Sequence, residues 1–410
     1  MRIAIIGGGA AGLMAAAAAL EANPTLQVTL IDRNAELGKK VMISGGGRCN
    51  VTTGLRDIRE VLKRYPRGGK FLNSAMRAFP PWTVRTWFEE RGVPLKAEAD
   101  LRVFPKSNDG RDIVGVFERL FAASKVSILL NRQVTTVTRQ GTGFRLTFKD
   151  GDTLDCDRLI LTTGGQAFRH TGSTGDGYAF AEFLGHRITP LAPSLNAFYV
   201  REPWIRELAG YAVPKATITA GERGEYEFTG PFLFTHRGVT GPAVFAVSSQ
   251  CAYEKYGPER PMKILIDLRP DEKLEDLRDR IAASGRQNPK KALVNVLDFF
   301  MPKSLASLAC RELKLDPQRH ASEISDADYG RLAAWLKGLP LSVIGRDAGE
   351  EFVTAGGVDL AEVDQRTMES KLVPGLFFAG ELLDIDGFTG GFNLQASWAT
   401  GRAAGLAAGE

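Results

Sequence analysis

A glycine-rich turn near the N-terminus carries the strongest chemical signal in the sequence. Gly7, Gly9 and Gly12 form a G-x-G-x-x-G pattern that follows an apolar run and opens an alanine-rich segment. Such a turn presents backbone N–H groups at a helix N-terminus, where they bind a pyrophosphate. Asp32, twenty positions after Gly12, ends the next apolar run and can accept hydrogen bonds from ribose hydroxyls. Because an acid at this position disfavours a 2′-phosphate, the pattern predicts FAD or NAD rather than NADP.

Two glycine-containing motifs far downstream distinguish between these two cofactors. Gly380 and Glu381 follow an apolar run, and Gly391, Phe392 and Asn393 open the last helical pattern. An NAD-only dehydrogenase does not need these motifs, whereas the ribityl chain and phosphates of FAD need contacts that the first turn cannot reach. The N–H groups at the start of the last helix can also stabilise negative charge on the pyrimidine edge of a reduced flavin. The downstream motifs therefore favour FAD.

The elements around these motifs predict a parallel sheet. Arg2–Ile6, Ala10–Ala22 and Gln27–Asp32 have the patterns of a strand, a helix and a strand, which make a β-α-β unit. Asp150-Gly151, flanked by strand patterns, predicts a hairpin. Further helical patterns lie at residues 55–65, 81–91 and 111–124, and strand patterns at 126–130, 134–139, 144–149, 153–157 and 159–163. The predicted fold class is α/β, with a Rossmann-like FAD-binding domain of the two-dinucleotide-binding kind.

The length and the change of composition along the chain predict two domains. The 410 residues exceed the roughly 250–300 at which a single core usually stops growing. We expect the two chain ends, residues 1–190 and 342–410, to form the FAD-binding domain. Residues 191–341 then form an inserted α+β domain, with a β-rich part at about 191–268 and a helical part at about 269–341.

Composition and charge exclude several classes of protein. The net charge of +4 is small for this length and gives no argument for a nucleic-acid or membrane partner. The apolar N-terminal stretch is too short for a membrane span and lacks the layout of a signal peptide, so we expect a cytoplasmic protein. The cysteines are far apart and lack metal-ligand spacing, which predicts neither a metal site nor a disulfide framework: Cys49, Cys156, Cys251 and Cys310.

Four further motifs carry a resemblance to a known family. They are Gly38–Asn50 (GKKVMISGGGRCN), Thr171–Gly177, Phe234–Pro242 and Gly380–Gln395. With these motifs the chain resembles bacterial FAD-dependent oxidoreductases of the aminoacetone oxidase-like and bile-acid-related kind. The resemblance spans nearly the whole chain and implies a bound FAD and a family-specific insert. Many related flavoproteins carry aspartate after the C-terminal glycine, where this chain has Glu381.

The motifs and the resemblance together predict a set of cofactor-binding residues. Within this set, Arg48 can bond phosphate or flavin oxygens, with a surface position as the alternative. Cys49 has no partner cysteine nearby, and we interpret it as a packed thiol rather than a redox group. The set comprises Gly7, Gly9, Ala10, Ala11, Gly12, Asp32, Arg33, Lys40, Ser44, Gly47, Arg48, Cys49, Asn50, Val134, Thr163, Gly164, Gly165, Gly380, Glu381, Gly391, Phe392 and Asn393.

The predicted catalytic residues are His236 and Arg237, which lie in a loop pattern of the insert. They would supply a base and a cation over the flavin, and the alternative is a loop histidine without a chemical role. His170 is a weaker candidate. No metal ligands are predicted.

The predicted function is hydride exchange between FAD and a small organic substrate or NAD(P)H. NAD(P)H is expected to bind transiently, since no second G-x-G-x-x-G follows a strand. One alternative is a tRNA-modifying flavoprotein, suggested by seven basic residues between Arg56 and Arg77, although a solvated helix face is the preferred interpretation of that segment. The other alternative is a flavin-binding electron-transfer or regulatory protein. The sequence does not predict the substrate or the oligomeric state.

Overall fold

The computed structural model describes residues 1–221, 223–346, 349 and 351–410. It divides into two compact units, one made of Met1–Ser194 with Gly349–Glu410 and the other of Leu195–Ala348. In the described part of the chain, no helix combines the length and apolar character that a membrane crossing requires.

The first unit contains most of the elements that the sequence predicts. Its strands before the insert are β1 (Arg2–Ile6), β2 (Gln27–Ile31), β3 (Thr52–Thr53), β4 (Leu95–Ala97), β5 (Arg102–Pro105), β6 (Val126–Leu129), β7 (Val134–Gln140), β8 (Gly143–Phe148), β9 (Thr153–Cys156), β10 (Arg158–Leu161) and β11 (Ala192–Ser194). Its helices there are α1 (Ala10–Ala22), α2 (Lys39–Ile43), α3 (Ile58–Leu62), α4 (Asn73–Ala78), α5 (Pro81–Glu89), α6 (Arg111–Ala122) and α7 (Asp176–Phe183).

The insert and the C-terminal part complete the chain. The insert contains β12 (Phe198–Val200), β13 (Ala212–Ala220), β14 (Tyr226–Phe234), β15 (Gly238–Thr240), α8 (Pro242–Gln250), β16 (Met262–Asp267), α9 (Leu274–Gln287), α10 (Leu293–Leu297), α11 (Lys303–Glu312), α12 (Asp326–Lys337) and β17 (Leu339–Arg346). The C-terminal part adds β18 (Val353–Ala355), β19 (Leu376–Phe378) and α13 (Phe392–Gly409) to the first unit. Short 3-10 helices cover Arg169–Thr171, Pro203–Leu208, Ala321–Glu323, Leu360–Glu362 and Gly380–Leu382.

A parallel sheet organises the first unit. Its strand order is β19-β10-β1-β2-β6, so the last strand of the chain joins strands from the N-terminal part. The strands β1, β2, β10 and β19 are mostly apolar and buried, with Ile5 beside Leu30 on one side and Ile160 on the other, whereas the edge strand β6 is partly exposed. Because the carboxyl ends of parallel strands meet at one edge, the residues that follow β1, β2, β10 and β19 gather at that edge.

The first and last helices of this unit pack at unusually close range. A Cβ atom at Gly401 of α13 would lie 2.3 Å from the carbonyl oxygen of Ala11, and one at Gly405 would lie 2.2 Å from that of Ala15. Only glycine allows this approach, because any side chain would meet the backbone of α1. The small residues of α1 and α13 thus bring the two chain ends together.

An antiparallel ribbon, β7-β8-β9, covers part of the same unit. The Asp150-Gly151 hairpin between β8 and β9 is confirmed, and Gly151 has the positive φ of +93° that the turn requires. The remaining strands form two small sheets, β3-β5-β4 and β11-β18.

The helix predicted at residues 55–65 was too long. The side chain of Asp57 accepts a hydrogen bond from the backbone N–H of Arg59 and so caps α3, which ends at Leu62. Pro66 and Gly68 then prevent its continuation, since proline cannot supply an N–H and Gly68 has a φ of +75°. The helix α4 follows and was not predicted.

The insert is built on a closed barrel with the order β12-β15-β14-β13-β16-β17. Its interior is filled by side chains such as Phe198, Ile218 and Phe234, which are fully buried. Two details differ from the predicted division at residue 268. The helix α8 lies within the part predicted as β-rich, and β17 lies at the end of the part predicted as helical, where it closes the barrel against β12 and β16.

The division into units also differs from the predicted boundaries. A boundary at 190/191 would separate β11 from β18, although the two strands pair within the first unit. A boundary at 341/342 would cut through β17. Strand pairing over long sequence distances sets both limits, and a shift in composition does not reveal it.

Candidate dinucleotide site

The turn between β1 and α1 has the tight geometry that its glycines predict. Gly7 has a φ of +110°, and a Cβ atom there would lie 2.4 Å from the carbonyl oxygen of Thr162. A Cβ atom at Gly12 would lie 1.9 Å from the carbonyl oxygen of Gly7. Gly9, the N-cap of α1, differs: a Cβ atom there would meet no heavy atom within 4 Å of the described structure. Open space therefore lies at the start of α1, next to Ala10 in its first turn.

Asp32 lies directly beside this turn. Its Oδ2 accepts a hydrogen bond from Gly8 N at 2.7 Å, and its Oδ1 accepts from Asn34 N at 2.8 Å and Asn34 Nδ2 at 2.9 Å. Burial raises the pKa of Asp32, while the bonds from Asn34 and Gly8 act in the opposite direction. The carboxylate thus holds the turn in shape, a role that the sequence did not reveal.

A cavity of about 530 Å³ lies next to Asp32. A backbone hydrogen bond links Asp32 to the wall of this cavity, since the N–H of Arg132, a lining residue, donates to Asp32 O at 3.0 Å. Val134 is buried opposite Phe148 in the β7–β8 pair, and the guanidinium of Arg132 lies 4.2 Å from the centre of the Phe148 ring. The lining residues are Arg33, Asn34, Asn131, Arg132, Gln133, Phe148, Lys149 and Asp150. An aromatic ring with backbone polar groups nearby suits a planar base.

Arg33 lies at the edge of this cavity, and its guanidinium is bonded to other side chains of the protein. Its Nη1 donates to Thr174 Oγ1 at 2.7 Å, and its Nη2 forms an ion pair with Asp176. Arg33 therefore fixes the start of α7 beside the nucleotide site.

The strand β10 ends at the same edge of the sheet. Gly164 has a φ of +74°, and the carbonyl oxygen of Gly165 accepts a hydrogen bond from Ser173 Oγ at 2.9 Å. Thr163 Oγ1 is buried without a hydrogen-bond partner among the described residues. It lies 2.0 Å from where a Cβ atom of Gly177 would be, so it packs against the start of α7.

An ion pair joins the two chain ends at this edge. Lys40 Nζ lies 2.7 Å from Glu381 Oε2, although the residues are 341 positions apart. Glu381 Oε1 accepts a hydrogen bond from Thr354 N at 2.9 Å. A Cβ atom at Gly380 would lie 2.8 Å from the Cβ atom of Ala11, which places the end of β19 against the first turn of α1.

The predicted cofactor-binding residues of the glycine-rich loop after α2 differ in their contacts. The guanidinium of Arg48 forms an ion pair with Glu98 at 2.7 Å and lies 3.8 Å from the centre of the Phe104 ring. Its side chain thus has partners within the protein. Ser44 Oγ donates to Val41 O at 2.8 Å, and a Cβ atom at Gly47 would meet nothing within 4 Å among the described residues.

Cys49 is fully buried in this loop. Burial raises the pKa of its thiol to about 12, so the group stays protonated at neutral pH. Among the described residues it forms no disulfide. These properties support the interpretation of a packed thiol.

The start of α13 is held by a set of partly buried polar contacts. In the orientation that satisfies both of its polar atoms, the Asn50 amide donates to Thr52 O at 3.1 Å and accepts from Gly391 N at 2.9 Å. Asn393 bonds both backbone groups of Gly387, at 2.8 and 2.7 Å. Gly391, the N-cap, has a φ of +88°, and no side chain in the described part of the chain caps the helix. These contacts fix the direction of the α13 N-terminus.

Three residues that support this helix start were not predicted. Tyr65 Oη donates to Phe392 O at 2.7 Å, and Thr52 Oγ1 donates to Gln395 Oε1 at 2.6 Å. Gln395 Nε2 also donates to Phe79 O at 2.9 Å. The signal that could have identified Gln395 is a second amide, after Asn393, in the first turn of a helix rich in small residues.

The predicted catalytic residues lie in the second unit, between β14 and β15. His236 is exposed, and the guanidinium of Arg237 lies 3.8 Å from the centre of the Tyr199 ring. His170, the weaker candidate, is an exposed residue of the first unit and meets Phe168 edge to face at 5.8 Å.

The residues of the first unit fit an FAD molecule. The open space at Gly9 lies at the start of α1, and the cavity beside Asp32 can hold a base. Ion pairing of Lys40 with Glu381 marks the meeting of the two chain ends, and α13 presents a fixed helix N-terminus. Such a site needs both chain ends, as the downstream motifs predict.

Comparison with known proteins agrees with this geometry. The family model described as "HI0933-like protein Rossmann domain" matches residues 1–407. The chain is 31% identical over 411 residues to the 3-dehydro-bile acid delta(4,6)-reductase of Clostridium scindens, with 100% of this chain and 99% of the relative covered. It is 32% identical over 400 residues to the ribosomal RNA dihydrouridine synthase of Escherichia coli, with 97% and 95% covered.

Solved structures of flavoenzymes share the fold. The 3-ketosteroid delta1-dehydrogenase of Sterolibacterium denitrificans has a TM-score of 0.53 at 13% identity, with 100% of this chain and 99% of that chain covered. A flavocytochrome c3 fumarate reductase has a TM-score of 0.52 at 17% identity, with 100% and 78% covered. These likenesses confirm the predicted fold class, a Rossmann-like FAD-binding domain with an additional domain.

Proposed function

The chain belongs to the HI0933-like Rossmann family of FAD-binding oxidoreductases, and from this membership we propose that it reduces a ring carbon–carbon double bond conjugated with a carbonyl group. The observation that supports a bound FAD as the hydride donor is the meeting of both chain ends at one edge of the sheet, where Lys40 pairs with Glu381 beside the first glycine turn.

The names of two relatives support this choice of reaction. One is a reductase of a dehydro bile acid, and the other forms dihydrouridine in ribosomal RNA. A conjugated enone and the uracil ring share a double bond next to a carbonyl group, and either can accept a hydride at the carbon remote from that carbonyl. The reaction adds one hydride and one proton to the double bond. A common reduction therefore accounts for both names better than an amine oxidation does.

FAD, when bound, supplies the hydride that this reduction requires. The chain's own residues orient the cofactor and stabilise charge. Asn50 and Asn393 fix the start of α13, whose N–H groups favour negative charge near the helix end. Asp32 holds the first turn and can bond ribose hydroxyls through its remaining acceptor capacity.

The proposal assigns the proton to His236 and a positioning role to Arg237. His236 is exposed, and the guanidinium of Arg237 lies over the Tyr199 ring. Imidazole is the side chain that most often acts as a general acid in enzymes. NAD(P)H is the proposed reductant, bound transiently, as the lack of a second glycine fingerprint in the sequence implies.

The variants His236→Ala and Arg237→Ala test this assignment. We expect both proteins to retain FAD and their fold, because these residues lie in the barrel unit. If His236 donates the proton in the slow step, reoxidation of the reduced flavin by substrate should slow by about 10²–10⁴-fold. Reoxidation at the wild-type rate with every active substrate would remove His236 from the mechanism.

Anaerobic spectroscopy tests the proposed reaction itself. The oxidised protein is mixed with NADH or NADPH, and loss of the visible flavin absorbance reports reduction. The reduced protein is then mixed with a conjugated enone steroid, with uridine-containing RNA or with an amine-derived imine. Return of the absorbance together with a saturated ring product supports the proposal. Reoxidation by the imine alone, with no ring product, would contradict it.

A second candidate is narrower, the reduction of uridine within ribosomal RNA. Two relatives carry that name, one from Escherichia coli and one from Haemophilus influenzae that is 31% identical over 410 residues. The names of both relatives specify ribosomal RNA, which favours this candidate over a tRNA substrate.

A further inference from the structure

The segment from residue 56 to residue 77, termed the basic segment, exposes several cations. It includes α3 and α4 and contains seven basic residues against two acids, Asp57 and Glu60. The exposed members are Arg56, Arg59, Lys63, Lys70 and Arg77. An excess of five positive charges is thus concentrated in 22 residues of a chain whose net charge is +4.

Few of these charges are neutralised by the protein itself. Among the described residues, Lys63 pairs with Glu60 at 2.7 Å and Arg67 pairs with the buried Asp386 at 2.5 Å. Within the described ranges, the side chain of Arg77 donates to a neutral group, Asn73 Oδ1, at 3.0 Å. The exposed cations that remain are available to an external anion.

The inner side of the basic segment holds the loop that leads into α13. Tyr65 Oη donates to Phe392 O, and Arg64 O accepts from Phe388 N at 2.9 Å. Arg67 and Asp386 lock the same loop. The segment is therefore fixed to the loop that leads into α13, the helix whose N-terminus the proposed function places beside the flavin.

We propose that the basic segment is an RNA-docking surface, whose cations contact phosphates flanking the uridine to be reduced. The inference rests on the proposed function in its ribosomal RNA form. Arginine guanidinium groups suit phosphate oxygens, because their planar donors form paired hydrogen bonds. A single-stranded or looped RNA is the fitting substrate, since a base within a duplex cannot reach a flavin.

A triple charge reversal tests the surface. The variant R56E/R59E/K70E changes exposed side chains and leaves Tyr65 and the Arg67–Asp386 pair intact. The probe is a fluorescently labelled, uridine-containing RNA hairpin, and anisotropy gives Kd over a range of salt concentrations. The variant should bind at least tenfold more weakly at low salt. The slope of log Kd against log salt should fall by about two to three, close to one for each cation that no longer binds a phosphate.

A matched control carries the same change in net charge on the other unit. The variant K255E/K273E/K303E reverses three exposed lysines of the insert, and it should bind RNA with nearly the wild-type salt slope. Equal weakening in both triple variants would overturn the surface, because it would reveal a response to overall charge. Binding of polyglutamate as tight as that of RNA would also overturn it, since the partner would then be an acidic protein.

Flavin content separates this proposal from the proposed function. A wild-type protein that carries FAD but binds no RNA overturns the docking surface alone and leaves reduction of a small substrate intact. A chain that binds RNA through these cations yet takes up no FAD contradicts the proposed reduction instead. The triple variant should keep the wild-type FAD content and the wild-type rate of flavin reduction by NAD(P)H.

Discussion

A residue of the proposed FAD site can also stabilise the fold. Asp32 illustrates this, since its carboxylate accepts from Gly8 in the turn and from Asn34 beyond β2. The sequence predicted its position from spacing alone, because an acid after the second strand is part of the fingerprint. The hydrogen bond to Gly8 could not be predicted, since it depends on the conformation of the turn.

The variant Asp32→Ala should weaken FAD binding by about 1.5–3 kcal/mol, or roughly ten- to a hundredfold. The physical reason is the loss of a charged acceptor together with an unsatisfied N–H at Gly8. Asp32→Asn is the matched control, because it keeps the size and one acceptor and should lose less. Titration of the flavin-free protein with FAD measures both. An unchanged affinity in the alanine variant would exclude Asp32 from the site.

His186 provides a residue-scale prediction for pH. Its fully buried imidazole lies 2.8 Å from Ser370 Oγ and 3.2 Å from Glu362 Oε2. Burial lowers the pKa of His186, and Glu362 acts against this effect. As the pH falls, His186 therefore binds a proton more readily in the unfolded chain than in the folded protein. The stability contributed by neutral His186 is complete above about pH 6.5 and decreases as the pH falls towards the folded pKa.

The thermal midpoint between pH 5 and pH 8 measures this effect. The loss should approach 1.4 kcal/mol per pH unit at most, the value for one proton. His186→Gln should flatten that part of the profile, whereas Ser370→Ala, which keeps the imidazole, should preserve it. A wild-type profile that is flat from pH 8 to pH 5 would show that the group does not titrate in this way.

At the scale of elements, close packing of α1 against α13 fixes the positions of the two helices in the proposed site. The contact between α1 and α13 needs glycine at residues 401 and 405, and it positions two helix N-termini at one edge of the sheet. The β-α-β unit and the Asp150-Gly151 hairpin were predicted, since both follow from local periodicity and turn residues. The helix α4 and the pairing of β11 with β18 were not, because short elements depend on tertiary contacts.

Gly405→Ala should destabilise the first unit by about 1–3 kcal/mol, because its Cβ atom would lie 2.2 Å from the carbonyl oxygen of Ala15. It should also weaken FAD binding, since α1 must shift. Gly330→Ala in α12 is the matched control, as its Cβ atom would have only Arg278 Cδ at 3.9 Å. That control should be neutral or stabilising by up to about 1 kcal/mol. Equal thermal midpoints for the two variants would contradict the packing argument.

At the scale of the whole molecule, both chain ends build one unit, and the segment between them in the sequence builds a second unit with a barrel. The parallel sheet of this unit joins β19 to β10 and so completes the site late in the sequence. The motif Gly380-Glu381 predicted that the last strand returns to the N-terminal sheet, because its expected contacts with FAD require a position near the first glycine turn. The ion pair of Lys40 with Glu381 spans 341 positions, and no local pattern predicts such a contact.

We infer that the two chain ends together hold FAD. The most direct measurement denatures the purified protein and identifies the released flavin by chromatography against FAD and FMN standards. We expect a yellow protein that releases one FAD per chain, because the cavity beside Asp32 and the turn at Gly9 suit the adenosine diphosphate half of the cofactor. A colourless protein that cannot be reconstituted with FAD, or one that releases FMN, would contradict the account.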